Sequence, residues 1–114
     1  MLKSTIESTP TTGGFRFTYV VENVGNEPRK LTFHSSQRFD LVARTADGEE
    51  IWRWSDGQLF TQAIDTERLQ AGEQYQFMAT WKPPKPGTYE IRGSLAATDT
   101  DAAASMTVER EEPA

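Results

Sequence analysis

The run Phe15-Arg16-Phe17-Thr18-Tyr19-Val20-Val21-Glu22 puts an apolar side chain at every second position. Phe15, Phe17, Tyr19 and Val21 share one face, and Arg16, Thr18 and Glu22 take the other. A helix would scatter the three rings around its circumference, whereas a pleated strand stacks them on one side. The segment is therefore read as a half-buried β-strand, and its apolar face as a wall of the core.

Outward from this strand the same rhythm returns. It is found in Leu31 and Phe33, in Phe39, Leu41 and Ala43, and in Tyr75, Phe77, Ala79 and Trp81. It recurs in Tyr89 and Ile91 and again in Ala104, Met106 and Val108, while Leu2 and Ile6 mark a weaker first strand. Asp47-Gly48 reads as a two-residue hairpin turn, because both residues tolerate positive φ. Gly25-Asn26-Glu27-Pro28, Ala71-Gly72-Glu73 and Pro86-Gly87 mark other reversals. No stretch combines helical spacing with caps; the nearest is a turn or two around Ser55 to Ala63. About eight short strands with regular punctuation predict an all-β, antiparallel, immunoglobulin-like β-sandwich. The Cys and Trp hallmarks of antibody domains are missing, so the expectation is for the architecture only. The charged tail from Glu109 to Ala114 is expected to fray.

With 114 residues, the chain is expected to form one domain over 1–114. It contains no cysteine, which excludes disulfides and thiolate metal sites. A formal net charge of −5 argues against binding a nucleic-acid backbone, which requires clustered Lys and Arg. No apolar run is long enough for a membrane span or the core of a signal peptide. The expectation is a cytoplasmic monomer.

Candidate chemistry is sparse. The single histidine, His34, falls on the polar phase of the Leu31–Phe33 strand, and no Gly-x-Ser-x-Gly elbow exists, so nucleophilic catalysis has no set of residues to work with. Asp99-Thr100-Asp101 offers two carboxylates but no glycine or later glutamate to complete a calcium loop, and reads as a solvated turn. Glu49 and Glu50 alternate across a strand and cannot face one substrate. Lys82-Pro83-Pro84-Lys85-Pro86 favours polyproline II but is short, and reads as a connection that blocks edge pairing. No metal, no cofactor and no enzyme activity are expected.

Two features point to binding. Trp52 and Trp54 share a strand face and would form a stacking platform if exposed, although a domain of this size needs its large rings inside. The segment Ser55-Asp56-Gly57-Gln58-Leu59-Phe60-Thr61-Gln62 lacks periodicity yet carries two large apolar residues, Leu59 and Phe60. It reads either as a crossover with Phe60 tucked into the core or as a loop presented by a rigid scaffold.

Several runs together resemble a known family. These are Ser36-Gln37-Arg38-Phe39-Asp40-Leu41-Val42, the Asp47-Gly48 turn, Trp52-Arg53-Trp54-Ser55, Phe60-Thr61-Gln62, the turn from Leu69 to Glu73, Trp81, and Pro86-Gly87-Thr88-Tyr89. They look like the BsuPI family, the intracellular proteinase inhibitors of bacilli, from about Phe15 to Leu95. The resemblance implies inhibition of an intracellular subtilisin-like serine protease. Relatives more often carry Ser-Gly-Gln where this chain has Ser35-Ser36-Gln37, which raises the question of positive φ at Ser36. The family hands over no contact residue. Physical reasoning selects residues 55–62, with Leu59 entering a specificity pocket and Gly25 to Arg29 or Ala97 to Asp101 assisting. The rival expectation is a non-inhibitory module that binds protein or carbohydrate through Trp52, Trp54 or Trp81.

Overall fold

A computed structural model describes residues 1–112 and shows nine β-strands among them. They are β1 (Leu2–Thr11), β2 (Gly14–Asn23), β3 (Arg29–Phe33), β4 (Phe39–Thr45), β5 (Glu50–Arg53), β6 (Asp65–Leu69), β7 (Gln74–Trp81), β8 (Gly87–Leu95) and β9 (Ala103–Arg110). All pairings are antiparallel, in sheets ordered β1-β2-β7, β3-β6 and β5-β4-β8-β9.

The alternation in β2 does what its sequence dictates. Phe15, Phe17, Tyr19 and Val21 are all buried, and in β4 Phe39, Leu41 and Ala43 are buried as well. The two sheets meet through these faces: Phe39 stacks on Phe77 with centroids 4.5 Å apart, and Phe17 lies 6.4 Å from Trp52. A Cβ added at Gly93 of β8 would come within 2.7 Å of the Tyr19 ring, which shows how closely the layers approach. Leu31, Phe33 and Leu69 extend the same core under β3 and β6. Each fully buried large apolar side chain contributes about 1.5–3 kcal/mol, so this one continuous core is the main source of stability.

Three expectations need correction. β6 was not foreseen, because Asp65-Thr66-Glu67-Arg68-Leu69 has one buried apolar residue and owes its place to backbone pairing with β3. β1 is a full ten-residue strand with half-buried Leu2, Ser4, Ile6 and Ser8 along one face. Glu109 and Arg110 pair with Thr88 and Gly87 instead of fraying, and Arg110 donates to the Pro83 carbonyl at 2.5 Å; residues 113–114 lie outside the described range. Over 55–63 the chain forms no helix but makes two hydrogen-bonded turns, Asp56 N–H to Arg53 O and Gln58 N–H to Ser55 O at 3.1 Å each, in line with the turn or two expected there.

The Asp47-Gly48 turn also differs in detail. Gly48 alone has positive φ, at 86°, and its N–H donates to the Thr45 carbonyl at 2.9 Å. The loop thus holds Ala46, Asp47 and Gly48, and the register of β4 against β5 shifts between Ala43 and Arg44. Space around Gly48 is open, so Gly48→Ala meets no clash and bears only the strain of a side chain at positive φ. The expected cost is about 1 kcal/mol, read from the urea midpoint, with ligand binding unchanged.

Candidate functional site

The segment following β5 leaves the sheet at Trp54 and returns at Asp65 of β6. Leu59 sits near its middle with 98% of its surface exposed, and Ile64 is 73% exposed near its exit. Asp56, Gly57, Gln58, Thr61 and Gln62 are exposed, while Ser55 and Phe60 are partly buried. The structure therefore brings residues 55–62 together as a surface loop. Phe60 does not enter the core itself but packs on its rim, 6.0 Å from Trp54 at a tilt of 55°.

The entry to the loop is pinned by Asp40. This carboxylate lies on the face of β4 away from the core and is nevertheless buried. Its Oδ1 accepts the Leu41 N–H at 2.9 Å and the Ser55 N–H at 3.0 Å. Its Oδ2 accepts the Ser55 hydroxyl at 2.6 Å and Arg53 Nη1 at 3.1 Å. Arg53 also forks onto Glu50 at 2.7 and 3.1 Å. The guanidinium is held above its ordinary pKa, first by the Glu50 hydrogen bond and then, against desolvation, by Asp40. Glu50 is correspondingly held below the usual carboxylate range by Arg53. Trp54 completes this end: its N–H donates to the Leu41 carbonyl at 2.8 Å and its ring stacks on Phe39 at 4.2 Å. Within the loop Gln58 N–H reaches the Ser55 carbonyl at 3.1 Å, and Gly57 turns with φ of 82°.

The exit is pinned by Ser36. Its hydroxyl accepts the Thr61 N–H at 2.8 Å, and its own N–H donates to the Thr61 carbonyl at 2.9 Å. No described non-glycine residue has positive φ, so Ser36 occupies the place of the more usual glycine without strain. Arg38 backs this end, donating to Ser35 O at 2.9 Å, Glu67 Oε2 at 2.8 Å and Asp65 Oδ2 at 2.7 Å. Its guanidinium lies 4.3 Å from the centroid of the Phe33 ring. Tyr75 donates to Glu67 at 2.7 Å, and burial, with that carboxylate, pushes its phenol up so that it stays protonated. A shallow cavity of about 310 Å³ lies beside the exit, lined by Ser35, Ser36, Arg38, Thr61, Ala63 and Ile64 among others.

Other sequence candidates resolve differently. The segment containing Ala97 to Asp101 lies beside the loop's support, since Ala96 N–H donates to Arg38 O at 2.9 Å and Thr98 N–H to Thr32 O at 2.9 Å. Asp99 accepts the Thr32 N–H at 3.0 Å, which lowers its pKa, so it ties the turn to β3 instead of merely facing solvent. Gly25 to Arg29 meets β3 at its other end, where Arg29 pairs with Leu69 while Phe33 pairs with Asp65. Trp52 and Trp81 stack on each other at 5.3 Å, so their faces are spent on the core and form no open platform. His34 is exposed, and no group of three or more metal-ligating side chains occurs among the described residues. Among them, too, no helix is long and apolar enough to cross a membrane.

Ser36 and Asp40 are the residues that sequence reasoning did not assign. Asp40 had one signal, a carboxylate within the otherwise apolar run Phe39 to Ala43. Ser36 had one too, a departure from the family's glycine.

Comparison with known proteins agrees with this scaffold. A family model described as BsuPI, intracellular proteinase inhibitor, matches residues 2–100. No curated protein matches the chain. Among solved structures, the chain is similar to the CARDB domain of a Pyrococcus furiosus protein in complex with di-metal ions. That match has a TM-score of 0.53 and 16% identity over 96% of this chain and 91% of that one. It is also similar to part of β-glucosidase 3B from Thermotoga neapolitana in complex with glucose. There the TM-score is 0.52 and the identity 15%, over 98% of this chain but only 16% of that one. At these identities the likeness concerns the fold alone, an immunoglobulin-like sandwich.

Proposed function

Because the chain belongs to the BsuPI family of intracellular proteinase inhibitors, we propose that it restrains a subtilisin-like serine protease in the cytoplasm by offering residues 55–62 to the active-site cleft. The observation that carries this reading is Leu59, almost fully exposed on a loop pinned at both ends without any disulfide. A substrate-like inhibitor must present an extended segment that binds yet resists release of the cut ends. Pre-ordering of the loop lowers the entropy lost on binding. Leu59 supplies the large apolar side chain that subtilisin-like enzymes accept, while Phe60 and Trp54 anchor the segment to the core.

A standard complex buries roughly 800 Å² on each partner, more than one loop offers. Ile64 and the Ala97 to Asp101 segment lie on the side from which the rest would come, which favours that segment over Gly25 to Arg29. The carbohydrate alternative draws no support from indole rings already stacked within the protein. The reading rests on the protein acting as a monomer without a cofactor.

The test is a titration of a purified intracellular subtilisin with the domain, followed by peptide hydrolysis. Activity should fall to a few per cent near one equivalent. Undiminished hydrolysis, or rapid digestion of the domain, would contradict the reading.

A further inference from the structure

We propose that Ser36 and Asp40 are positioning residues that hold the two sides of the Leu59–Phe60 bond in register, so that a protease which cuts this bond re-forms it instead of releasing products. The inference rests on the proposed inhibitory role of the loop and identifies what would make it durable.

The chemistry sets the requirement. The protease's serine oxygen attacks the Leu59 carbonyl carbon, the bond to the Phe60 nitrogen breaks, and that nitrogen takes a proton and becomes an amine. In the reverse step the neutral amine attacks the ester carbonyl carbon and gives up one proton as the peptide bond re-forms, while the serine oxygen leaves and takes up a proton to become a hydroxyl again. Reversal outruns hydrolysis only if the amine stays beside the ester. A held group then reacts with the high effective concentration of an intramolecular partner.

Both sides are held here. On the amine side, Thr61 is joined to Ser36 by two hydrogen bonds, at 2.8 and 2.9 Å, one residue beyond the bond. On the acyl side, Ser55 is joined to Asp40 by two, at 2.6 and 3.0 Å, and Gln58 N–H reaches the Ser55 carbonyl. Trp54 belongs to the acyl side in sequence, yet its ring packs on Phe60 of the amine side. It therefore links the two ends without crossing the bond. Ser36, in the bend three residues before β4, and Asp40, the second residue of β4, stand only four positions apart, so both anchors come from one short stretch of backbone. Glycine at position 36 would keep the backbone bond to Thr61 O but lose the hydroxyl that accepts its N–H.

The test uses the full chain and a subtilisin-like protease at equimolar concentration, with intact-mass analysis over time. Ser36→Ala should raise the rate of permanent cleavage at Leu59–Phe60 at least tenfold, and by more than it raises the inhibition constant. Ser36→Thr, which keeps a hydroxyl, should restore resistance. Asp40→Asn, checked for an intact fold by its urea midpoint, should show the same accelerated cleavage. If Ser36→Ala resists cleavage as well as the parent while Leu59→Asp still destroys inhibition, the clamp fails and the loop reading stands. If Leu59→Asp inhibits like the parent, the loop reading itself falls, and the clamp with it.

Discussion

Leu59→Asp should weaken inhibition more than a hundredfold while leaving the domain's stability within about 0.5 kcal/mol of the parent. Leu59 is 98% exposed in the free protein, so folding places no demand on it. On the proposed reading the same side chain enters an apolar pocket in the complex, and a carboxylate there would be stripped of water with no cation opposite. Leaving such a charge unpaired costs about 3 kcal/mol or more. The pair of readouts separates function from folding. An inhibition constant within a few-fold of the parent would move the contact away from this loop.

The second large effect concerns the scaffold. Phe17→Ala removes a fully buried ring that lies 6.0 Å from Phe15 and 6.4 Å from Trp52. The expected loss is roughly 3–5 kcal/mol from transfer and cavity terms together. Against a total of about 5–15 kcal/mol for a small domain, this would bring the protein close to unfolding. Urea denaturation should show a much lower midpoint with an unchanged slope. A loss below about 1 kcal/mol would mean that the face on which the fold was read is not the core.

How far the sequence reached depends on where each residue's partners lie. The apolar face of β2 was legible because period two is a local property, and burial of Phe15, Phe17, Tyr19 and Val21 follows it. β6 was not, since Asp65 to Leu69 carries one buried apolar residue and is placed by β3 across the ladder and by Arg38. The Asp47-Gly48 turn was located correctly but given the wrong loop length, because the loop runs from Ala46 to Gly48 and the register slips past Ile51 of β5, neither of which a dipeptide encodes. At the site, Leu59 and Phe60 stood out as apolar residues in a polar stretch. Their supports did not, because Asp40 acts on Ser55 fifteen positions later and Ser36 on Thr61 twenty-five positions later. Such pairings exist only once the chain has folded.

Whether residues 55–62 occupy the protease cleft can be read from amide hydrogen exchange. The domain would be measured alone and in complex with a subtilisin whose catalytic serine is replaced by alanine, so that nothing is cut. Strong new protection is expected, centred on Gln58 to Thr61, with a weaker effect over Ala96 to Asp101. Protection confined to Gly25–Arg29 or to the outer strands, with the Leu59 amide exchanging as fast as in the free protein, would contradict occupancy of the cleft by this loop.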